Sequence, residues 1–174
     1  MSLNNDTYLD SGKPLTLFLD IDGVFNVPRN HVNLGLYINP DLVQNLQYLV
    51  KKYTANVCWI SSWRRSFTSD SIFNIFIGAN LRVPENQRLS NLPLPESIDN
   101  FEDRRGPIIQ RYCAYHNIKL DEILIIDDDG PDTLMDRWVK TNTYDGFTFS
   151  RALEAERILN GEPITRDPLG TLLK

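Results

Sequence analysis

Two carboxylates one residue apart, Asp20 and Asp22, stand at the end of an apolar run, Leu17-Phe18-Leu19, and are followed by Gly23. Alternate residues of a strand share a face, so the two acids meet if the strand continues. If the chain turns at Gly23, Asp20 closes the strand and Asp22 sits on the loop above it. In either geometry like charges repel unless a cation or a shared proton separates them. Mg²⁺, a hard ion that takes oxygen ligands, is the usual remedy. A lone Asp here reads as a turn or helix cap; Asp-Ile-Asp-Gly behind an apolar strand reads as a metal-assisted site.

Two more apolar runs end in polar residues. Val57-Cys58-Trp59-Ile60 gives way to Ser61-Ser62-Trp63-Arg64, and Ile123-Leu124-Ile125-Ile126 to Asp127-Asp128-Asp129. Taken singly, Ser61 and Ser62 suit helix N-capping, and Asp127 to Asp129 an acidic loop. Together, two acidic ends and one hydroxyl end make a constellation.

The elements that must position these residues alternate. Thr16–Leu19 reads as a buried strand, Asn56–Ile60 as a second and Glu122–Ile126 as a third. Between them, Pro40–Tyr53 is an amphipathic helix with Leu42, Val43, Leu46, Leu49 and Val50 on one face, and Pro40 and Asp41 suit its first turn. Ser66–Ile77 reads as a helix, although Phe67, Ile72, Phe73, Ile75 and Phe76 also permit strand. Val83–Pro95, with its prolines, is a loop, and Gly106–His116 a helix with Ile108, Ile109, Tyr112 and Cys113 inward. Such alternation predicts an α/β fold, a Rossmann-like parallel sheet flanked by helices. Ligands of these sheets bind beyond the carboxyl ends of the strands, where the polar residues fall.

At 174 residues one domain is expected. With 41% hydrophobic and 24% charged residues the composition is that of a soluble globular chain, and no stretch approaches a membrane span. Met1 to Lys13 is polar and lacks the apolar core of a signal peptide, so a cytoplasmic location without membrane attachment is expected. Cys58 and Cys113 are expected to be buried thiols. A net charge of −5 argues against a nonspecific nucleic-acid coat. The pairs Arg64-Arg65 and Arg104-Arg105 are either solvated surface or local patches facing an anionic substrate.

These motifs, in order and spacing, resemble the haloacid dehalogenase-like (HAD) phosphohydrolase superfamily. Phe18 to Asn26, Ile60-Ser61-Ser62-Trp63-Arg64, Arg105-Gly106 with Ile109, and Ile126-Asp127-Asp128-Asp129 are more closely similar to the HAD domains linked to Swiss Army Knife RNA-repair proteins. The resemblance spans about Leu15 to Phe149, which places a HAD-like domain at 15–160 between an N-terminal extension, 1–14, and a tail, 161–174. It implies Asp20 as nucleophile, forming an aspartyl-phosphate, and Asp22 as general acid and base. Ser61 would donate to a phosphoryl oxygen and Arg105 offset its charge, with Arg104 the alternative basic residue. Asp20, Asp22 through its carbonyl, Asp127 and Asp128 would hold Mg²⁺, the implied cofactor. Phe25 departs from the more usual Leu, and an arginine stands where the wider family more often has Lys.

Only 38 residues lie between Asp22 and Ser61 and 43 between Ser61 and Arg105, too few for a full cap domain. A capless or minimally capped site suits a substrate that covers it, such as a phosphorylated nucleic-acid end or a phosphoprotein, with Ser62, Trp63 and Arg64 as substrate-binding residues. Tyr37 is a further candidate for the opening, and Trp63 either stacks on a base or packs in the core. A small-molecule, nucleotide-type phosphatase using the Asn26–Asn39 segment as a partial lid, and a catalytically idle HAD-like binding domain, are the alternative functions.

Overall fold

The computed structural model describes residues 15–28, 35–97 and 100–164. The expected N-terminal extension, 1–14, most of the expected tail, from 165, and part of the Asn26–Asn39 segment lie outside the described residues. Four parallel strands form one sheet in the order β2-β1-β3-β4. They are β1 (Thr16–Leu19), β2 (Asn56–Trp59), β3 (Ile123–Asp127) and β4 (Trp138–Lys140). Four helices cover them: α1 (Pro40–Tyr53), α2 (Ser69–Gly78), α3 (Arg105–Tyr115) and α4 (Phe149–Leu159). This is the Rossmann-like α/β arrangement expected.

Strand alternation divides the core into two layers. Leu17, Leu19, Val57, Trp59, Leu124, Ile126 and Val139 face one side, packed with buried residues of α1, α2 and α4. Phe18, Cys58, Ile125 and Trp138 face the other, with Ile108, Ile109 and Tyr112 of α3. Burial on both faces is why these strands are continuously apolar rather than alternating. Both cysteines are buried, and burial pushes the Cys58 thiol up to about 12 and Cys113 to about 11.

α1 has the predicted bounds. Asn39 caps it by accepting from the Asp41 N–H at 3.0 Å, and it ends at Thr54 in a left-handed conformation (φ 49°). The Ser66–Ile77 expectation resolves into a short 3₁₀ turn at Ser62–Arg65, then α2 from Ser69 capped by Thr68. The Thr68 cap and the turn closed by Trp63 displace the helix start by three residues. β4 and α4 extend the fold beyond the elements read from sequence. Among the described residues the two intervals flanking Ser61 contain helices, turns and loops but no separate cap domain, and no helix is long and apolar enough to cross a membrane.

Candidate active site

β1 and β3 are adjacent and in register, Leu19 opposite Ile126. The Asp20 N–H donates to the Ile126 carbonyl at 3.0 Å, which extends the pairing one step and delivers the Asp20 side chain beside that of Asp127. Oxygens of Asp20, Asp127 and Asp128 lie within 4.8 Å of one another. Asp20 is 7% exposed and Asp127 fully buried. Three carboxylates so close, two of them buried, need compensation.

One compensation is Arg105, at the first turn of α3. Its guanidinium pairs with Asp127 and lies 3.7 Å from Asp20. Arg104 turns outward to Asp132 at 3.1 Å, so Arg105 is the basic residue brought to the acids. Burial drives the Asp127 carboxyl up to about 8 against the pull of Arg105, and neighbouring Asp20 adds to the rise. Burial opposes the charge of Arg105, yet Asp127 and Asp20 outweigh it and hold its pKa raised. The Asp128 carboxyl is raised by burial, against the Thr143 hydroxyl that donates to it at 2.8 Å. Hard oxygen donors from two adjacent strand ends fit a divalent cation, and Asp20, Asp127 and Asp128 are the side chains that would hold it.

Asp22 goes elsewhere. After Asp20 the chain turns: the N–H groups of Val24, Phe25 and Asn26 all converge on the Ile21 carbonyl, and Gly23 adopts φ +73°. Of the two geometries open in the sequence, the turn is the one adopted. The exposed Asp22 carboxylate accepts from Trp63 Nε1 at 3.0 Å and Asn26 Nδ2 at 3.1 Å, outside the three-acid cluster. An expected metal contribution from Asp22 is therefore left to its backbone, because the side chain is engaged by those donors.

Ser61 follows β2 and is fully buried. Its hydroxyl accepts from the Trp63 N–H at 3.4 Å, capping the 3₁₀ turn, and an accepting hydroxyl keeps its own proton to donate. Capping and phosphate binding are thus compatible at this residue. Ser62 is exposed, beside Arg64, Arg65 and Arg105 on the wall of a cavity.

Of the two readings of Trp63 open in the sequence, packing in the core is the one adopted. The residue is 9% exposed, belongs to the larger core layer and packs on Phe67, so its face is not presented to a base. Its indole N–H reaches Asp22 instead. Arg64 is likewise turned inward, donating to the Ile60 and Ser61 carbonyls, and burial together with nearby Arg105 lowers its pKa to about 10. It shapes the end of β2 while lining the cavity. Tyr37 is part exposed, at 37%.

Two supports had no signal in the sequence: Thr141 and Thr143 come from a segment without a motif of its own, whereas Asn26 closes the motif that begins at Phe18. The Thr141 hydroxyl donates to the Gly23 carbonyl at 3.0 Å, tying the turn after Asp22 to the end of β4.

The family described as HAD domain in Swiss Army Knife RNA repair proteins matches residues 16–152. The chain belongs to this family. Every element that builds the acidic cluster falls within the match. No curated protein matches the chain significantly. Among solved structures it is similar to a hypothetical protein from Xanthomonas campestris, at 16% identity and a TM-score of 0.44 over 84% of this chain and 82% of that one. Membership in a HAD family supports a hydrolase of the phosphatase kind, and the cluster a divalent metal site.

Proposed function

We propose that the protein is a Mg²⁺-dependent phosphoric monoester hydrolase that works through a phosphoryl-aspartate and acts on a phosphorylated nucleic-acid end. The observation that carries this reading is the division of labour among the acids. Asp20 sits among the buried carboxylates with Arg105 beside it, whereas Asp22 is held apart, exposed, between two hydrogen-bond donors.

In the first step an Asp20 oxygen attacks phosphorus while the bond from phosphorus to the ester oxygen breaks, and Asp22 delivers its proton to that leaving oxygen. In the second, Asp22 takes a proton from water, which attacks phosphorus and releases inorganic phosphate from Asp20. Arg105 and the Ser61 hydroxyl offset the charge on the transferring group. A divalent cation held by Asp20, Asp127 and Asp128 would supply charge neutralisation that lets an anionic nucleophile meet an anionic ester. The family's name, which links its HAD domains to RNA repair, supports a nucleic-acid end as the substrate.

The test is turnover of an aryl phosphate and of end-phosphorylated oligonucleotides with and without Mg²⁺. Turnover should require the cation, and Asp20→Asn should lower it at least a hundredfold, about 3 kcal/mol of barrier. A wild-type protein inactive on every phosphate ester, or an Asp20→Asn variant that stays active, would overturn the assignment.

A further inference from the structure

Two cavities lie end to end along α3. The first, about 300 Å³, is lined by Arg64, Arg65, Arg104 and Arg105, the last of which also pairs with the acids of the cluster. The second, about 520 Å³, is lined by Arg111, Tyr112, Tyr115 and His116. Asp103 and Ile108 border both cavities, so they share a wall. α3 spans 11 residues from Arg105 to Tyr115, a rise of about 15 Å.

We infer that this groove is a track for single-stranded nucleic acid, leading from the reacting terminal phosphate to the nucleotides behind it. The inference rests on the proposed phosphatase reading and adds what the substrate must carry beyond its terminal phosphate. Arginines at the near end suit a second phosphate. Arg65 is exposed, and Arg64 donates to backbone carbonyls, so neither guanidinium is committed to a carboxylate among the described residues. Carboxylates in the two cavities moderate the field: Asp132 is paired with Arg104 and Asp103 with Arg111, while Asp129 and Glu96 are exposed.

Aromatic rings at the far end suit bases. Tyr115 is 83% exposed and stands edge-on to His116, whose ring lies 4.2 Å from that of Tyr112. Base stacking on such rings is tolerant of sequence and needs unpaired bases. A singly phosphorylated peptide would use the reacting site and leave both the arginine cavity and the ring platform unmatched. A nucleic-acid strand presents a phosphate and a flat base at every residue, which matches both.

Binding can be read without turnover in an Asp20→Asn background, by fluorescence anisotropy of a labelled single-stranded hexanucleotide with a terminal phosphate, alongside a mononucleotide and a phosphopeptide. The hexanucleotide should bind at least tenfold more tightly than the mononucleotide. Tyr115→Ala, at a solvent-facing position that carries no core packing, should weaken the hexanucleotide at least fivefold. Arg65→Ala should flatten the slope of log affinity against log salt by about 0.7, one phosphate contact on a single strand. Affinity independent of length, wild-type binding by both variants, or a phosphopeptide that binds equally well and loses as much would overturn the track. Failure of the enzymatic reading alone would appear differently, as no turnover by the wild-type protein with this binding pattern intact.

Discussion

The Asp22 carboxylate receives one hydrogen bond from Trp63, which follows β2, and one from Asn26, on its own turn. Two donors from separate segments fix a small side chain far better than one, because each removes a rotation that the other leaves free. Trp63 is in this respect a positioning residue: it touches the acid that, in the proposed mechanism, protonates the leaving oxygen. Trp63→Phe keeps most of the buried ring and removes only the N–H. The loss of a hydrogen bond to a charged acceptor, about 1.5–3 kcal/mol in such settings, should lower kcat roughly tenfold or more with little change in KM. The effect should be larger for an alkyl phosphate, whose leaving oxygen needs the proton, than for an aryl phosphate, whose leaving oxygen does not. A uniform loss on both esters, tracking a lower Tm, would show that the indole serves packing alone.

At the scale of elements, the position of Arg105 depends on how closely α3 approaches the loop after β3. The Gly106 N–H donates to the Pro131 carbonyl at 2.8 Å, and a Cβ at Gly106 would run into that carbonyl and the Thr133 hydroxyl. A backbone oxygen cannot swing aside as a side chain would. Gly106→Ala should therefore push the start of α3 outward, take Arg105 off Asp127 and Asp20, and cost activity at least tenfold, while the melting temperature falls by only a few degrees. Activity retained at the wild-type level would mean that Arg105 reaches the acids from more than one helix position. Gly106 and its neighbours stand in a motif that is legible in sequence, as do the ends of β1, β2 and β3, because an apolar run followed by acids or hydroxyls marks both a strand and its functional edge. β4 has three residues, too short to establish a period, and α4 followed no motif that drew attention to it. The orientation of Trp63 was undecidable for a different reason. In a 3₁₀ turn of four residues no periodicity separates the inward face from the outward one, and only the tertiary position of Asp22 assigns the indole its partner.

For the whole molecule, the acidic cluster couples the active site to stability. The Asp127 carboxyl ordinarily titrates at 3.8 and in the fold at about 8. A carboxyl raised in the folded state binds its proton more tightly there than in the unfolded chain. Its contribution is therefore fully present below about 3.8 and is lost as the pH climbs through about 8. Without a cation, this buried acid makes the fold less stable at pH 8 than at pH 6. A cation bound to the cluster reverses the balance, since it prefers the ionised carboxylate and stabilises only the folded chain. The gain in Tm on adding saturating Mg²⁺ to EDTA-treated protein should accordingly be larger at pH 8 than at pH 6, as the proton that competes for Asp127 is removed. In Asp127→Asn, which has no such proton to lose, the gain should be small and should not grow between the two pH values. Thermal melts of both proteins at the two pH values, with matched ionic strength, check this. An equal Mg²⁺ shift in the wild-type protein at pH 6 and pH 8 would mean that Asp127 is already ionised at pH 6, with Arg105 outweighing its burial.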